Sequence, residues 1–399
     1  MIERTGVAGT PLPPGVSLLI VATVSISIRA FLIPYARHFR ALGWRVDAAA
    51  NGASSDAALR EAFDHVYELP FSRSIRDLEG IVRGERAISA VLESGPDLVH
   101  VHTPIAAFIT RFAVRRMPPD KRPAVAYTTH GFHFHEGGRP AMNAVFLTAE
   151  RVAGRWTDRL VVVNDEDYAA AQTNRIVGPT RLVRMPGIGV DTDRYSRSGV
   201  DPDALTLARR QLRVGPDTPL FVVVGELNRN KRPEDVIEAL ALMHHSKAVL
   251  VLVGEGRERA RLEPLAGLMG LRDRVRFIGF VGDVRPLVGG ATALVLPSER
   301  EGLSRSIMEA LALEVPVVAS TARGNRELVD AQSGFIVPTG DIRGLAAAMD
   351  WLVDHPVERL EMGRHGRRRM VERYDLPNLV RLHEEMYAGM LAARGARLK

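Results

Sequence analysis

The chain has no cysteine, which excludes disulfides, thiolate zinc sites and a cysteine nucleophile. It has almost no lysine: Lys121, Lys231, Lys247 and Lys399 stand against 49 arginines. A bias that broad makes arginine count a poor guide to sites, while each lysine keeps some weight. There is no long apolar run near the start. Val16 to Val24 is far too short to span a bilayer and reads as a buried first strand. The MIERTG before it sets Glu3 against Arg4 and lacks the positive flank of a signal peptide. The expectation is a cytoplasmic protein, or one attached to a membrane from the cytoplasmic side. Concentrated charge is missing too. With 53 basic and 47 acidic side chains the net charge is only +6. Split at Gly199, the halves carry 24 against 20 and 29 against 27. No half has the basic density of a nucleic-acid binder.

What is present is an ordinary globular composition, 46% apolar and 25% charged over 399 residues, enough for two or three domains. Short β-rich runs alternate with helical patterns. In the first half the strands are 17–24, 45–50, 97–102, 124–129 and 159–164, with helices at 30–42, 75–94, 104–116, 140–155 and 165–174. Strands without polar alternation are covered on both faces, which argues for parallel strands with helical crossovers. The segment 198–219, with its acids and prolines, breaks the pattern and marks an interdomain boundary. The alternation restarts with strands at 220–225, 248–254, 274–279, 292–297, 315–320 and 334–338. Helices are placed at 232–243, 256–269, 303–313, 341–354 and 356–373. The fold class is therefore α/β, two Rossmann-like doubly wound domains facing across a cleft. The first spans 1–198 and the second 199–376. A final helix at 377–396 is a candidate to pack back on the first.

In such sheets ligands bind beyond the carboxyl ends of the strands, so the motifs of interest lie just after strands. PSEREGLSRSIMEALA (297–312) follows a strand and opens a helix near Leu303. The amides of Leu303 to Ser306 are helix-start donors suited to a diphosphate. Glu309, deeper, suits a ribose; Glu301, nearer the opening, suits a sugar. The plain alternative is a surface i,i+4 pair between Arg305 and Glu309. VGELNRNKRPED (224–235) makes a basic, amide-rich turn with Asn228, Arg229, Lys231 and Arg232, or merely a solvated turn. TTHGFHFHEG (128–137) puts His130, His133 and His135 after a strand. No ligand spacing accompanies them, so a substrate hydroxyl is a better partner than a metal, and packed loop histidines are the plain alternative. VGEGRER (253–259) lacks the third glycine of a dinucleotide fingerprint. The DTD at 191–193 and DPD at 201–203 are short acidic triplets of a kind common in loops. A basic, aromatic face on the first domain could meet anionic lipid. It would use Arg37, His38, Arg40, Arg45, Arg111, Arg115, Arg116, Lys121 and Arg122, with Phe108 and Phe112. The RHGRRRMVER run (364–373) reads as plain surface.

Taken together, these motifs resemble family 4 retaining glycosyltransferases of the GT-B fold, over nearly the whole chain. The family's pattern of Glu, seven residues, Glu is matched by Glu301 and Glu309. THGFHF, NDEDY (164–168), PGIGVD (186–191) and GELNRNK (225–231) look like a branch that builds capsule, exopolysaccharide and O-antigen repeat units on a polyprenyl diphosphate carrier. The resemblance implies that Glu309 holds the donor ribose and Glu301 faces the donor sugar. It implies that Leu303 and Ser304 present amides to the diphosphate, beside Gly225 and Lys231. His130 would contact sugar or acceptor, and Gly279 and Phe280 would lie in the loop receiving the base. Two departures stand out. Glu226 replaces the arginine that many relatives have after the glycine of the phosphate loop, leaving Arg229 or Arg305 to serve as second cation. SISIRAF (25–31) replaces a glycine-rich first loop, so Ser27 and Arg29, with His133, are assigned to the acceptor side.

The activity implied is transfer of a hexose or N-acetylhexosamine from a UDP-sugar to a lipid-linked saccharide. Configuration would be retained, with no metal and no cofactor, at the inner face of the cytoplasmic membrane. The alternatives are a GDP-sugar-dependent transferase, a sugar-nucleotide epimerase of similar fold, and a non-catalytic nucleotide-sugar-binding partner.

Overall fold

The computed structural model describes residues 12–72, 77–135 and 137–397. The MIERTG segment and Glu136 lie outside them. The chain divides into two compact units: Met1–Ile188 with Asn378–Lys399, and Gly189–Pro377.

The first unit is built on strands β1 (Ser17–Val24), β2 (Arg45–Asn51), β3 (Val66–Glu68), β4 (Leu98–His102), β5 (Ala124–Thr129), β6 (Arg159–Val162) and β7 (Leu182–Arg184). They form one seven-stranded sheet in the order β3-β2-β1-β4-β5-β6-β7, and every pairing is parallel. The helices are α1 (Ser25–Phe31), α2 (Ile33–Ala41), α3 (Ala57–Ala62), α4 (Leu78–Leu92), α5 (Pro104–Arg116), α6 (Pro140–Gly154) and α7 (Asp165–Thr173). Leu18 to Ala22 of β1 are all buried, as a strand covered by helices on both faces must be. The SISIRAF segment, expected as a loop, is helix α1. With no glycine, its backbone turns directly from β1 into helical geometry. Strands β3 and β7 were not expected; at three residues each they are too short to show a period.

The second unit contains α8 (Pro202–Gln211), then β8 (Leu220–Val224), α9 (Pro233–Leu242), β9 (Val249–Val253), α10 (Arg259–Leu268), β10 (Val275–Gly279) and α11 (Arg285–Gly289). It continues through β11 (Ala293–Leu296), α12 (Arg305–Ala312), β12 (Val317–Ser320), α13 (Arg323–Leu328), β13 (Gly334–Val337), α14 (Ile342–Asp354) and α15 (Pro356–Arg373). Its sheet runs β10-β9-β8-β11-β12-β13, again wholly parallel. The division falls at Ile188 rather than 198, because Val190, Tyr195 and Val200 belong to the second unit's core. Residues 198–219 are likewise no linker: Ala208, Leu212 and Val214 fill that core from α8 and the turn after it. The acidic triplets serve as caps, with Asp191 accepting from Arg194 N–H and Asp201 from Asp203 N–H. Arg367, read as surface, donates to the carbonyls of Thr192, Tyr195 and Ala312.

The final helix, α16 (Leu376–Arg397), returns the chain to the first unit at Asn378. There the Tyr387 hydroxyl meets His100 Nδ1 at 2.6 Å, His38 Nε2 meets Glu384 at 2.7 Å, and Arg394 pairs with Asp97 at 2.7 Å. No helix of the described residues is long and apolar enough to cross a membrane.

The basic, aromatic face expected on the first unit does not form as drawn. Arg111 points inward, 1% exposed, onto Glu150 Oε2 at 3.1 Å, Thr157 Oγ1 and the Ala107 carbonyl, with its guanidinium 4.2 Å above the Tyr127 ring. The Tyr127 hydroxyl completes the network on Glu150 Oε1 at 3.0 Å. Arg37, Arg40, Arg45 and Arg116 are each paired with a carboxylate, while Arg115 and Lys121 are exposed. Arg111→Leu should lower stability by about 3–5 kcal/mol, because Glu150 would stay buried without its counter-charge. Urea unfolding followed by Trp156 fluorescence tests this. Joint replacement of Arg111 and Glu150 by leucine should recover most of the loss.

Candidate functional site

In the second sheet, strand order reverses between β8 and β11. The loops leaving their carboxyl ends stand at that switch point, the usual ligand position in a doubly wound sheet. These two loops are GELNRNK and SEREGLS. They are tied across the switch point. Glu299 N–H donates to the Asn230 carbonyl at 2.8 Å, and Asn230 Nδ2 donates to the Arg300 carbonyl at 3.0 Å. Lys231 Nζ lies 2.5 Å from Glu301 Oε1, with both side chains largely covered. Asn228 shapes the turn by accepting from Lys231 N–H at 3.1 Å. Arg232, in left-handed backbone (φ 48°), grips Asp235 through two bonds and reaches Glu299 at 3.3 Å.

The helix after SEREGLS begins at Arg305, two residues later than expected, with Ser304 in extended backbone as its N-cap. The amides of Arg305, Ser306 and Ile307 therefore have no acceptor within the helix. Leu303 and Ser304 are the last residues of the loop that presents that start. Glu309 is buried on α12. Its carboxylate takes Arg305 Nε at 2.6 Å, so the i,i+4 pair forms, but inside the unit rather than on its surface. Tyr195 joins the pair; burial and the Glu309 charge push its phenol up to about 12. Arg229 stays 91% exposed and reaches only Glu258, at 3.6 Å. That leaves Arg305 as the enclosed cation of the two.

Glycines let these segments approach. A Cβ on Gly324, at the start of α13, would lie 1.6 Å from the Gly302 carbonyl, so only glycine lets that helix touch the SEREGLS loop. In VGEGRER, a Cβ on Gly254 would lie 2.0 Å from the Gly225 carbonyl, and one on Gly256 2.1 Å from that of Leu227. Those glycines pack loop on loop, which is a structural role and not a dinucleotide one. Gly225 itself underlies the Lys231 stem, and Gly279 ends β10 at φ 72° with Phe280 68% exposed after it.

In the first unit the switch point lies between β1 and β4. Thr103, just past β4 at φ 67°, is held by Thr23, whose N–H and hydroxyl reach its Oγ1 at 2.9 and 2.7 Å. His130 is half-buried just past β5, 3.2 Å from His102 Nδ1 and stacked near Phe31 of α1. His102 stacks on His130 and lies tilted by 31° against His100, whose Nε2 meets Thr128 Oγ1 at 2.7 Å. The three histidines of TTHGFHFHEG do not converge: the His133 ring packs on Phe146, and the backbone of His135 bonds the Asn143 side chain. Ser27 and Arg29 lie on α1, where Arg29 pairs with Asp56 at 3.4 Å. NDEDY has a mechanical role. Asn164 caps α7, and Asp167 accepts from Phe132 N–H at 3.3 Å, steadying the loop that carries His130. Tyr195, Asn230, His102 and Thr103 were not singled out by sequence as site residues, since each acquires its partner only through the fold.

The comparisons with known proteins follow this geometry. The family described as "Glycosyltransferase Family 4" matches residues 32–194, and "Glycosyl transferases group 1" matches 206–369. EpsD of Bacillus subtilis (strain 168), a protein named as a glycosyltransferase, is 32% identical over 88% of this chain and 91% of its own. The chain belongs to this glycosyltransferase family. The UDP-Gal:alpha-D-GlcNAc-diphosphoundecaprenol alpha-1,3-galactosyltransferase of Escherichia coli is 26% identical, over 74% of this chain and 76% of its own. Among solved structures, Anabaena HepE in complex with UDP and glucose matches with a TM-score of 0.78 at 20% identity, covering 94% of this chain and all of that one. The sucrose-phosphate synthase of Thermosynechococcus elongatus matches with 0.79 at 20% identity over 94% of this chain and all of its own. At such identity the likeness shows the fold, which is GT-B. The glycosyltransferase thus carries its two best-formed loop clusters at the carboxyl ends of parallel strands, one in each unit.

The histidines of the first unit give a pH signature. Burial, and for His130 the neighbouring His383 as well, depresses both rings from 6.5 to about 4. Burial with the other histidines lowers His100 and His102 further in the same direction. The unfolded chain then binds more protons between these values, so stability is full above about pH 6.5 and falls as pH drops toward 4. The urea midpoint reported by Trp44 should decrease steadily over that window. A flat midpoint there would show that the rings take up protons in the folded unit as readily as in the unfolded chain.

Proposed function

We propose that this glycosyltransferase moves a hexose or N-acetylhexosamine from a UDP-sugar to a polyprenyl-diphosphate-linked saccharide with retention of configuration, in the synthesis of a cell-surface polysaccharide. The carrying observation is the Lys231–Glu301 contact of 2.5 Å at the β8/β11 switch point, in the loop that leads into the start of α12. It sets one cation, one carboxylate and the first amides of a helix at the place where a doubly wound sheet takes a nucleotide. The names of the relatives support the reading: the E. coli enzyme uses UDP-Gal and a diphosphoundecaprenol-linked acceptor.

In this reading the second unit binds the donor. The amides at the start of α12, presented by Leu303 and Ser304, take the diphosphate, and Lys231 and Arg305 balance its charge without a metal. Glu309 accepts from the ribose hydroxyls once it shares its carboxylate between them and Arg305. Glu301 accepts from the sugar hydroxyls and sets the ring against Lys231. Gly279 and Phe280 flank the base. As the bond from the anomeric carbon to the diphosphate oxygen breaks, negative charge grows on that oxygen, where Lys231 and the amides stabilise it. The acceptor oxygen attacks from the same face, and its proton passes to the departing phosphate. The first unit binds the acceptor, with His130 hydrogen-bonding a hydroxyl and Ser27, Arg29 and His133 flanking it. Membrane association is then peripheral, at the cytoplasmic face, and rests on the lipid tail of the acceptor more than on a basic patch.

The test is calorimetry of the purified chain against UDP, GDP, ADP and their sugars in EDTA, followed by product analysis with lipid-linked acceptors. UDP-sugar binding and an axial-to-axial transfer are expected. Binding of GDP-sugars alone would change the donor, an epimerised donor without acceptor would change the reaction, and binding without turnover would leave a nucleotide-sugar carrier. Glu309→Ala should weaken UDP binding by about 1.5–3 kcal/mol, the worth of hydrogen bonds to a charged group. Unchanged UDP affinity in that variant would remove Glu309 from the site. Lys231→Ala should lower turnover by roughly 10²–10³, since its cation acts mainly on charge that develops in the transition state. Full turnover would make Lys231 a bystander.

A further inference from the structure

Outside the switch-point site, one cluster of side chains has the composition of a metal centre. Among the described residues, His244, His245 and Asp354 are the group whose ligand atoms lie within 4.8 Å of one another. His245 Nε2 is 2.8 Å from Asp354 Oδ1, and His244 Nε2 is 3.3 Å from Asp354 Oδ2. The two rings lie side by side, 4.3 Å between centroids. A tetrahedral cation with bonds of about 2.0–2.2 Å separates its ligands by roughly 3.3–3.6 Å, so a cluster whose ligand atoms all lie within 4.8 Å of one another needs only modest side-chain adjustment to share one ion.

A second carboxylate does what ligand supports do in metal sites. Asp350, buried one helical turn before Asp354 on α14, lies 3.0 Å from His244 Nδ1. It also accepts from the backbone N–H groups of His244 and His245, at 3.2 and 3.4 Å. A proton on Nδ1 leaves Nε2 of His244 as a lone pair facing Asp354, the tautomer a cation requires. The His245 carbonyl is pinned as well, by Ala248 N–H and by Arg274 Nη2. The open side of the cluster faces solvent: the His244 side chain is 63% exposed and Asp354 43%, leaving room for water ligands.

We propose that His244, His245 and Asp354 bind one divalent cation of the zinc class, with Asp350 orienting His244. Two imidazoles and one carboxylate favour Zn²⁺, Cu²⁺ or Ni²⁺ over Mg²⁺ or Ca²⁺. The site is remote from the donor loops. Helix α9 leaves the carboxyl end of β8 and brings the chain back to the amino end of β9, and His244 and His245 lie on that return, just before Val249. The cation would therefore tie the loop after α9 to the end of α14 and take no part in the transfer.

The tag-free full chain, stripped with chelator and desalted, is titrated with ZnCl2 alone by calorimetry. One site is expected, together with a Zn²⁺-dependent rise in Tm. His244→Ala, His245→Ala and Asp354→Asn should each abolish that site, while His365→Ala keeps it. Asp350→Asn should weaken it by about 10–100-fold, as loss of a ligand's support does. Circular dichroism of each variant without metal guards against misfolding. X-ray absorption of the zinc-loaded wild type should show two imidazole nitrogens. Absence of Zn²⁺ binding in the wild type, or unchanged affinity in folded His245→Ala, overturns the proposal. UDP binding, measured separately in EDTA, does not depend on either result.

Discussion

Lys231 and Glu301 stand 2.5 Å apart although seventy residues separate them in the chain, and the second unit's candidate site is organised around that contact. Two parallel strands, β8 and β11, end side by side with crossovers that leave in opposite directions. Nothing in the sheet itself joins the loops beyond them. The joining is done by the Asn230 carbonyl and amide, by the ion pair, and by Arg232 between Asp235 and Glu299. Partial enclosure lowers the dielectric around the pair and raises its worth above that of an exposed one. It also means that a ligand anion arriving there competes with Glu301 for Lys231, so binding must rearrange charge and not merely add it.

The same economy appears in the pairing of Glu309 with Arg305 and Tyr195. A carboxylate this covered is costly alone, and the guanidinium one turn earlier and the Tyr195 phenol supply it with partners. The first unit has a buried pair of its own, Arg111 with Glu150, but its other large polar cluster is made of histidines. Four histidines, two of them stacked against each other, run from the buried His383 of α16 to the half-buried His130. Neutral rings pack without counter-charges, whereas the charged groups of the second unit's site are held by their own partners.

Close backbone approach is the other recurring device. Gly324 against Gly302, and Gly254 against Gly225, bring whole loops into van der Waals contact, which fixes the position of amides more firmly than side-chain packing would. The buried Arg111–Glu150–Tyr127 network serves a comparable purpose in the first unit, pinning α5, α6 and β5 to one another.

The alternation of apolar runs and helical periods by itself determined the class of fold, the parallel sheets and the position of REGLSRSIMEALA and GELNRNK just after strands, because each depends on local periodicity and chain direction. Sequence also carried the family, since several motifs in order are more specific than any one. Tertiary structure decided what spacing cannot encode. It turned SISIRAF into a helix, gave residues 190–214 to the second core, and drew Arg111 out of a supposed surface face into a buried pair. It brought Tyr195 to Glu309, His102 to His130, and Asp350 and Asp354 to two histidines more than a hundred residues away. Those partners meet only when separate crossovers pack on one sheet, and no one-dimensional pattern records which side chains share a crevice.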